Sequence, residues 1–403
     1  MSASTHRSGI GGVPAARLRI GLLRLTDSAP VIVAHEFGYF GDEAVNTELS
    51  VEPSWANIAD KLAFGFLDAA VIVPPLAFAV ELGLRGTAQK LIIPCAISHG
   101  GNTITVTKDL AERTHTRAHR EGAGIAQAFA REIRETPATL GIVHPYSTHN
   151  LLLRYWLATA GVVPEQDVKL VVVPPARTAQ ALGEGRIAGF CAGAPWGEIA
   201  VRAGAGATIA ASKDIWQDAP EKAFAVRAQW ADENPDALQG AIRALLRAAQ
   251  FCDLPENASY VAALLSRRRY LDVDSHAIMA SLPGGSVAPN PLSCFFRGAA
   301  TFPWRSHALW FLREMARWKL ISDAHDQGAL ANKVYRPDLY RLAASSMDVS
   351  APLTDWKTEG AHAAGWTLEA APSELAMAAD GFCDGAVFDP QSVTRPAGAL
   401  HNS

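Results

Sequence analysis

The sequence carries none of the short motifs that announce catalysis. It has no P-loop, no GxSxG elbow, no HExxH and no GxGxxG between a strand and a helix, and no enzyme activity is expected. Its five cysteines (Cys95, Cys191, Cys252, Cys294 and Cys383) stand singly, without CxxC or Cys/His spacing. That argues against a structural zinc site and reads as a set of reduced thiols. The histidines do not cluster with acids at metal spacing, so neither a metal nor a cofactor is expected. His115 and His119 fall in an Arg-rich stretch that reads as a solvated surface loop. An excess of one charge is missing as well. With 36 basic and 40 acidic side chains the net charge is −4, and no long Lys/Arg block is present, so direct nucleic-acid binding is not expected. Hydrophobic runs are short: the most apolar, Ala69–Val80, is bounded by Asp68 and Glu81 and broken by Pro74 and Pro75. It is too short to span a bilayer, and no membrane anchor is expected. No apolar leader core precedes the first strand-like run, Leu18–Leu23, so the expectation is a short tail and a cytoplasmic protein.

What the sequence does have is an alternation of strand-like and helix-like segments. Leu18–Leu23, Thr47–Val51 and Leu67–Val73 read as strands. Helical spacing over Ala29–Tyr39, over Trp55–Phe66 and from the Pro74-Pro75 pair lies between and after them. A second unit follows. Strands are predicted at Leu140–His144, Val168–Val173, Ile187–Cys191 and Ala207–Ala210, and helices at Ala123–Glu135, Ser147–Ala160, Ala176–Leu182 and Pro195–Val201. After about residue 220 the pattern becomes helical, at Pro235–Phe251, Asn257–Arg267, His307–Leu320 and Asp323–Val334. Beyond Ser346 it loses periodicity. The order predicts two α/β lobes with mainly parallel, doubly wound sheets, a helical return, and a ligand cleft at the carboxyl ends of the strands.

Several polar residues sit where an element begins. Trp55 follows Ser54 at a helix start, and His149 lies in the first turn of the Ser147–Ala160 helix. Asn102 follows the glycines of His99-Gly-Gly-Asn102, where Gly101 lets a ligand approach the backbone. Such positions aim N–H donors into a cleft, and helix N-termini favour anions. Pro175, just past a strand, can line the same cleft without donating. Each has an ordinary alternative on residue type alone: Trp55 as a packing anchor, His149 as a second cap, Lys222 as an exposed lysine at a helix start.

Longer stretches carry a resemblance. Leu25-Thr-Asp-Ser-Ala-Pro30 with Glu36-Phe-Gly-Tyr-Phe40 looks like an opening motif. Ser54-Trp-Ala-Asn-Ile58, Asp60-Lys-Leu-Ala-Phe-Gly65 and Leu67-Asp-Ala-Ala70 follow it. Next come Gly101-Asn-Thr-Ile-Thr105, Ser147-Thr-His-Asn150, Arg154-Tyr-Trp156 and Ala194-Pro-Trp196, and then Pro220-Glu-Lys222 and Ala300-Thr-Phe-Pro-Trp-Arg-Ser-His307. In this order, from about Leu18 to Phe388-Asp-Pro390, they are similar to the nitrate/bicarbonate-binding proteins of the NrtA/CmpA type. The resemblance implies a two-lobed periplasmic-binding-protein-like (type II) fold with a planar anion in the cleft. It implies a tail over 1–16, a first lobe from 17–105 and 225–345, a second from 106–224, and a C-terminal extension over 346–403 packed on the lobes.

The resemblance places Trp55, Asn102, His149 and Lys222 at or near the anion, and Gly101 and Pro175 are expected to line the same site. Trp55, Asn102 and His149 would offer in-plane N–H donors and Lys222 the compensating charge. A lysine at 222 favours nitrate or nitrite, because the bicarbonate branch has an acid there. Asn102, where Gln is usual, and Ala194, where an acid is usual, depart from the pattern. The missing leader, lipobox cysteine and ATPase domain resemble the cytoplasmic nitrate/nitrite sensors of the NasS type. That implies a partner, an ANTAR-domain antiterminator of the NasT type, held inactive until the anion binds, so that RNA contact belongs to the partner. The competing expectation is the binding component of a nitrate, bicarbonate or other small-anion ABC transporter. A pyrimidine-synthase-like enzyme of the same superfamily is disfavoured by the absence of that group's cysteine-rich motif.

Overall fold

The computed structural model describes residues 15–285 and 292–393 of the chain. In chain order its main strands are β1 (Ala16–Leu22), β2 (Val45–Val51), β3 (Ala69–Ile72), β4 (Leu91–Gly100), β5 (Asn102–Thr107), β6 (Thr139–Ile142), β7 (Lys169–Val172), β8 (Gly189–Gly193), β9 (Gly206–Ala211), β10 (Pro220–Arg227) and β11 (Ser293–Cys294). They form two sheets, β11-β4-β10-β3-β1-β2 and β7-β6-β8-β5-β9. Helix Ala29–Glu36 links β1 to β2, and helix Trp55–Ala63 links β2 to β3. In the second sheet, helix Thr148–Thr159 links β6 to β7 and helix Thr178–Gly183 links β7 to β8. Each sheet thus contains a βαβαβ run of three parallel strands, the expected two-lobed α/β architecture.

The helix Ala29–Glu36 is apolar all round, and its first six residues are buried. It is packed between its sheet and the long amphipathic helix Pro235–Asp253, as expected of a helix with no polar face to give to water. The core of the first lobe gathers on Leu18, Ile20, Leu22, Val31, Ile32, Phe224 and Leu245. No helix among the described residues is long and apolar enough to cross a membrane.

The sheets are mixed rather than mainly parallel. β5 runs antiparallel to both β8 and β9, and β10 antiparallel to both β3 and β4. These are the strands by which the chain enters the second sheet and returns to the first, and each inserts directly without a crossover helix. The crossings fall at Gly101 and between β9 and β10, so residues 102–105 and 220–224 each belong to the sheet opposite to the one expected. Gly100 and Gly101 turn the chain with φ of +74° and +90°. A Cβ on Gly100 would stand 2.3 Å from the Leu292 carbonyl oxygen, so the first crossing requires glycine there.

Two further readings change. His115 and His119 are exposed as expected, but on the helix Lys108–Glu121 rather than in a loop. Thr107 caps it, and Leu110, Ala111, Thr114 and Ala118 supply a buried stripe at helical spacing, while Arg113 and Arg117 pair with Glu132 of the next helix. The aperiodic C-terminal stretch has order of its own. Trp366–Leu368 pairs antiparallel with Leu375–Met377, and Ala351–Pro352 with Ala370–Ala371. Phe382 then stacks against Trp216, with ring centroids 4.7 Å apart, and lies beside Tyr155 and Trp310.

A buried ion pair anchors this C-terminal stretch. Glu359 is fully buried, bonded to Lys357 and to Ser306 Oγ at 2.6 Å, with His307 Nε2 at 3.4 Å. Burial opposes ionisation of Glu359, but Lys357 and His307 together outweigh it and hold the carboxyl down at about 2. Replacing Lys357 by Met leaves this charge unpaired and is expected to cost about 3–5 kcal/mol in urea unfolding at neutral pH. In the native chain the contribution of Glu359 is complete above its unfolded value, ordinarily 4.5. It fades as pH falls from there toward about 2, so an unfolding series across that window should show stability falling with acid in the parent and falling less in Lys357→Met.

Candidate functional site

The carboxyl ends of the parallel strands in both sheets meet around β10, and the side chains there are polar and buried. Asp27 comes from the turn after β1. Trp55 opens the helix after β2, where Ser54 Oγ accepts the Asn57 N–H at 3.3 Å and fixes the helix start. From the second sheet come Asn102, the first residue of β5, and His149, in the first turn of the helix after β6. Ser147 caps that helix by accepting the Asn150 N–H at 3.2 Å. Trp55, Asn102, His149 and Lys222 are each 99 % or more buried. Four of the six residues expected at the anion therefore converge on one place.

Lys222 is the centre, and it is neither exposed nor at a helix start. It lies near the start of β10, with its Nζ 2.8 Å from Asp27 Oδ2 and bonded to Glu221. The ammonium also lies 5.5 Å from the centre of the Trp55 ring, within range of a cation–π attraction. Consecutive strand residues normally point to opposite faces. Here the register of β10 against β4 slips on both sides of Lys222, and this irregularity lets Glu221 and Lys222 reach the same cluster.

Sequence reasoning missed Glu221 and Asp27. Both stood inside quoted stretches, and the signal was two acids and a lysine in segments otherwise apolar enough to be buried. Glu221 is the most connected group of the site. Its carboxylate accepts from Asn102 Nδ2 and from Lys222, with His149 Nε2 at 3.3 Å. Its backbone carbonyl accepts from Thr148 Oγ1 at 3.3 Å. Burial, reinforced by the nearby Asp27, pushes the Glu221 carboxyl up to about 7 even against the pull of Lys222. Burial likewise raises Asp27. It would lower Lys222, but the two carboxylates outweigh it and keep the ammonium charged. Burial, with Lys222 adding to it, drives His149 well below its usual range, so this imidazole is neutral and offers one N–H.

Several polar atoms here have no hydrogen-bond partner within the protein: Trp55 Nε1, Thr26 Oγ1, Asp27 Oδ1, Asn102 Oδ1 and His149 Nδ1. Buried polar atoms are rarely left so. Gly193, at the end of β8, brings bare backbone beside them. A Cβ there would lie 3.3 Å from Leu25, 3.5 Å from His149 Nε2 and 3.6 Å from Asn102 Oδ1. Among the described residues no group of His, Cys, Asp or Glu is arranged to hold a metal ion.

The other two expected residues are placed differently. The N–H of Gly101 donates to the Leu292 carbonyl at 2.7 Å, and its carbonyl accepts from the Ala194 N–H at 2.8 Å. Its backbone groups serve the crossing, so the freedom of its glycine backbone brings it a protein carbonyl rather than a ligand. Pro175 is buried in the turn Pro175–Arg177 after β7, where its carbonyl accepts from Thr178 Oγ1 at 2.8 Å. Ala194 takes part through its backbone, its carbonyl accepting the Thr26 N–H at 2.9 Å across the two lobes.

The profile of the NMT1-like family matches residues 11–266. The chain is 30 % identical over 393 residues to the nitrate/nitrite binding protein NrtA of Synechocystis sp., covering 93 % of this chain and 82 % of that one. The chain belongs to this family. It is a homologue of the NrtA/CmpA nitrate/bicarbonate-binding proteins. It is also 34 % identical to the nitrate import ATP-binding protein NrtC of Synechocystis sp., over 84 % of this chain and 52 % of NrtC, so it spans about half the length of that relative. In three dimensions it resembles the crystal structure of the periplasmic nitrate-binding protein NrtA from Synechocystis PCC 6803. The TM-score is 0.80 at 26 % identity, over 94 % of this chain and 96 % of that one. The alkanesulfonate-binding protein SsuA from Xanthomonas axonopodis pv. citri shares the fold, with a TM-score of 0.61 at 16 % identity over 80 % of this chain and 99 % of that one.

Removing the central charge tests the electrostatics of the site. Lys222→Met leaves Asp27 and Glu221 without their counter-ion and is expected to cost about 3–5 kcal/mol of stability at about pH 8. The penalty should shrink at about pH 5.5, where the Glu221 carboxyl is protonated and one buried charge disappears. Urea unfolding at the two pH values measures both; an equal penalty at each would show that Lys222 is not paired with an ionised Glu221.

Proposed function

We propose that the protein binds nitrate or nitrite between its two lobes and serves in the cytoplasm as a sensor. In this reading it holds an RNA-binding ANTAR-domain antiterminator of the NasT type inactive and releases it when the anion binds. One observation carries the ligand assignment. The indole N–H of Trp55 and the ring nitrogens of His149 have no hydrogen-bond partner within the protein and come from the two lobes beside the buried Lys222. Nitrate is planar, accepts hydrogen bonds at every oxygen and is weakly hydrated. Three N–H donors and one cation in a buried site suit it better than a sulfate, which carries twice the charge and is tetrahedral.

The sensor role takes its support from the resemblance to the NasS type. A second reading, a binding component of an ABC transporter, takes its support from relatives named for nitrate and bicarbonate transport. Both share the same physics. An anion that touches both lobes favours the arrangement in which they meet, and it shifts a partner's binding only as far as it prefers that arrangement.

A melting series on the purified protein tests the ligand. Nitrate and nitrite should raise the melting temperature, the added stability reaching about 2.7 kcal/mol at a hundredfold excess over Kd. Trp55→Phe, which keeps the ring and removes the N–H, should weaken nitrate binding roughly ten- to a hundredfold, the loss of one hydrogen bond to a charged acceptor. A shift with bicarbonate plus a divalent cation, and none with nitrate or nitrite, would overturn the assignment. For the sensor role, a complex with the antiterminator should dissociate on adding nitrate, and the partner should weaken nitrate binding by the same factor. Identical nitrate affinity with and without the antiterminator would refute that role.

A further inference from the structure

Two of the groups assigned to the anion, Asn102 and Lys222, are engaged with an anion already, and it belongs to the protein. Asn102 Nδ2 and Lys222 Nζ donate to the Glu221 carboxylate, and His149 Nε2 stands 3.3 Å from it. A carboxylate is a planar O–C–O group with one delocalised charge, the outline of nitrite and two-thirds of nitrate. Glu221 is thus a built-in competitor for the site.

Charge counting adds a second constraint. Asp27 and Glu221 each carry −1 when ionised and Lys222 carries +1, so this fully buried group already holds one uncompensated negative charge. A bound nitrate would make it two, in surroundings where an unpaired charge costs several kcal/mol. The other groups that face Glu221 do not relieve it. His149, from the helix after β6, is neutral. Cys191, from β8, has its thiol pushed up by burial and stays uncharged. Asp27, from the turn after β1, adds repulsion.

Resting on the nitrate/nitrite reading above, we propose that the anion enters together with one proton, which Glu221 takes from solvent. The carboxylate forms a new O–H bond and becomes a neutral acid, and Lys222 and Asn102 turn from it to the anion. The acid O–H then becomes a further donor toward the ligand. Glu221 is the group that takes the proton, rather than Asp27, because the Glu221 carboxylate is the one occupying the donors. An anion bound in this way is selected partly by pH, and the site is a receptor for nitrate plus a proton.

Titration calorimetry with sodium nitrate on the full-length protein tests this. In two buffers of different ionisation enthalpy at about pH 8, the observed heats should differ by that of close to one proton taken up. Affinity should be flat below about pH 6 and fall about tenfold for each unit of pH once Glu221 is ionised in the free protein. Glu221→Gln, a neutral planar donor, should bind nitrate without buffer dependence or pH dependence, while Asp27→Asn should still take up the proton. Nitrate binding by the parent protein with equal heats in the two buffers overturns the proposal and leaves the nitrate reading intact. Proton uptake that persists in Glu221→Gln and vanishes in Asp27→Asn overturns the assignment to Glu221. No binding of nitrate or nitrite at any pH removes the underlying reading, and this proposal with it. The buffer comparison uses the native chain and holds even if a variant fails to fold.

Discussion

A lysine with no exposure to water has to be matched by charge, and the position of Lys222 governs how the two halves of this protein meet. Its ammonium is paired with Asp27 from the first lobe and with its neighbour Glu221, and Glu221 is tied in turn to Asn102 and Thr148 from the second lobe. The two pairs of Lys222 lie within the first lobe, and the contacts of Glu221 carry the cluster across the cleft. Separating the lobes would expose or strand several of them at once. Breaking a buried charged pair by removing one partner costs more than the pair contributes as a whole, so the arrangement confers specificity of geometry more than net stability.

The location of this cluster follows from the connectivity. β5 and β10 carry the chain between the sheets, and each inserts antiparallel among parallel neighbours. Asn102 is the first residue beyond the outward crossing, while Glu221 and Lys222 are the second and third residues of the returning strand. The segment leading into β10 is gripped from outside: Trp216 packs on Phe382 of the C-terminal stretch, and Gln217 N–H donates to the Gly381 carbonyl at 3.0 Å. The C-terminal stretch, through its buried Glu359 anchor, therefore fixes the return crossing, and with it the placement of the two charged residues that follow.

Much of this was legible in the sequence, and the gaps have physical causes. The alternating units announce themselves because parallel strands buried on both faces read as short apolar runs, such as Ala69–Ile72, set between capped helices. Trp55 and His149 could be read as site candidates because Ser54 and Ser147 are recognisable caps that mark where a helix begins. β10 was not legible. Pro220-Glu-Lys has the look of an exposed helix start, and no periodicity shows that an irregular register will bury two adjacent charges. The helix Lys108–Glu121 was hidden by the density of its charges, whose partners lie on the following helix. Gly101 was recognised as a position needing backbone freedom, but what approaches it, the Leu292 carbonyl, comes from nearly two hundred residues away in the chain. Spacing reports local geometry well. Long-range partners are outside its reach, and Asp27 and Glu221 are the clearest instances.

In the proposed reading, residues that would contact the anion also sit where the chain passes between the two sheets. Asn102, Glu221 and Lys222 sit at the two crossings, so whatever re-partners them acts on the segments that join the lobes. Thr26 N–H to the Ala194 carbonyl, and Trp196 Nε1 to the Arg24 carbonyl at 2.9 Å, are direct contacts between the lobes. Beside them Gly193, the residue before Ala194, is packed close to Leu25. A small anion beside Gly193 is therefore within reach of both the charge cluster and the seam between the lobes. If the proposed anion binds there, its influence on how the lobes meet would come from its position at the crossings and not from the small area that a four-atom ligand buries.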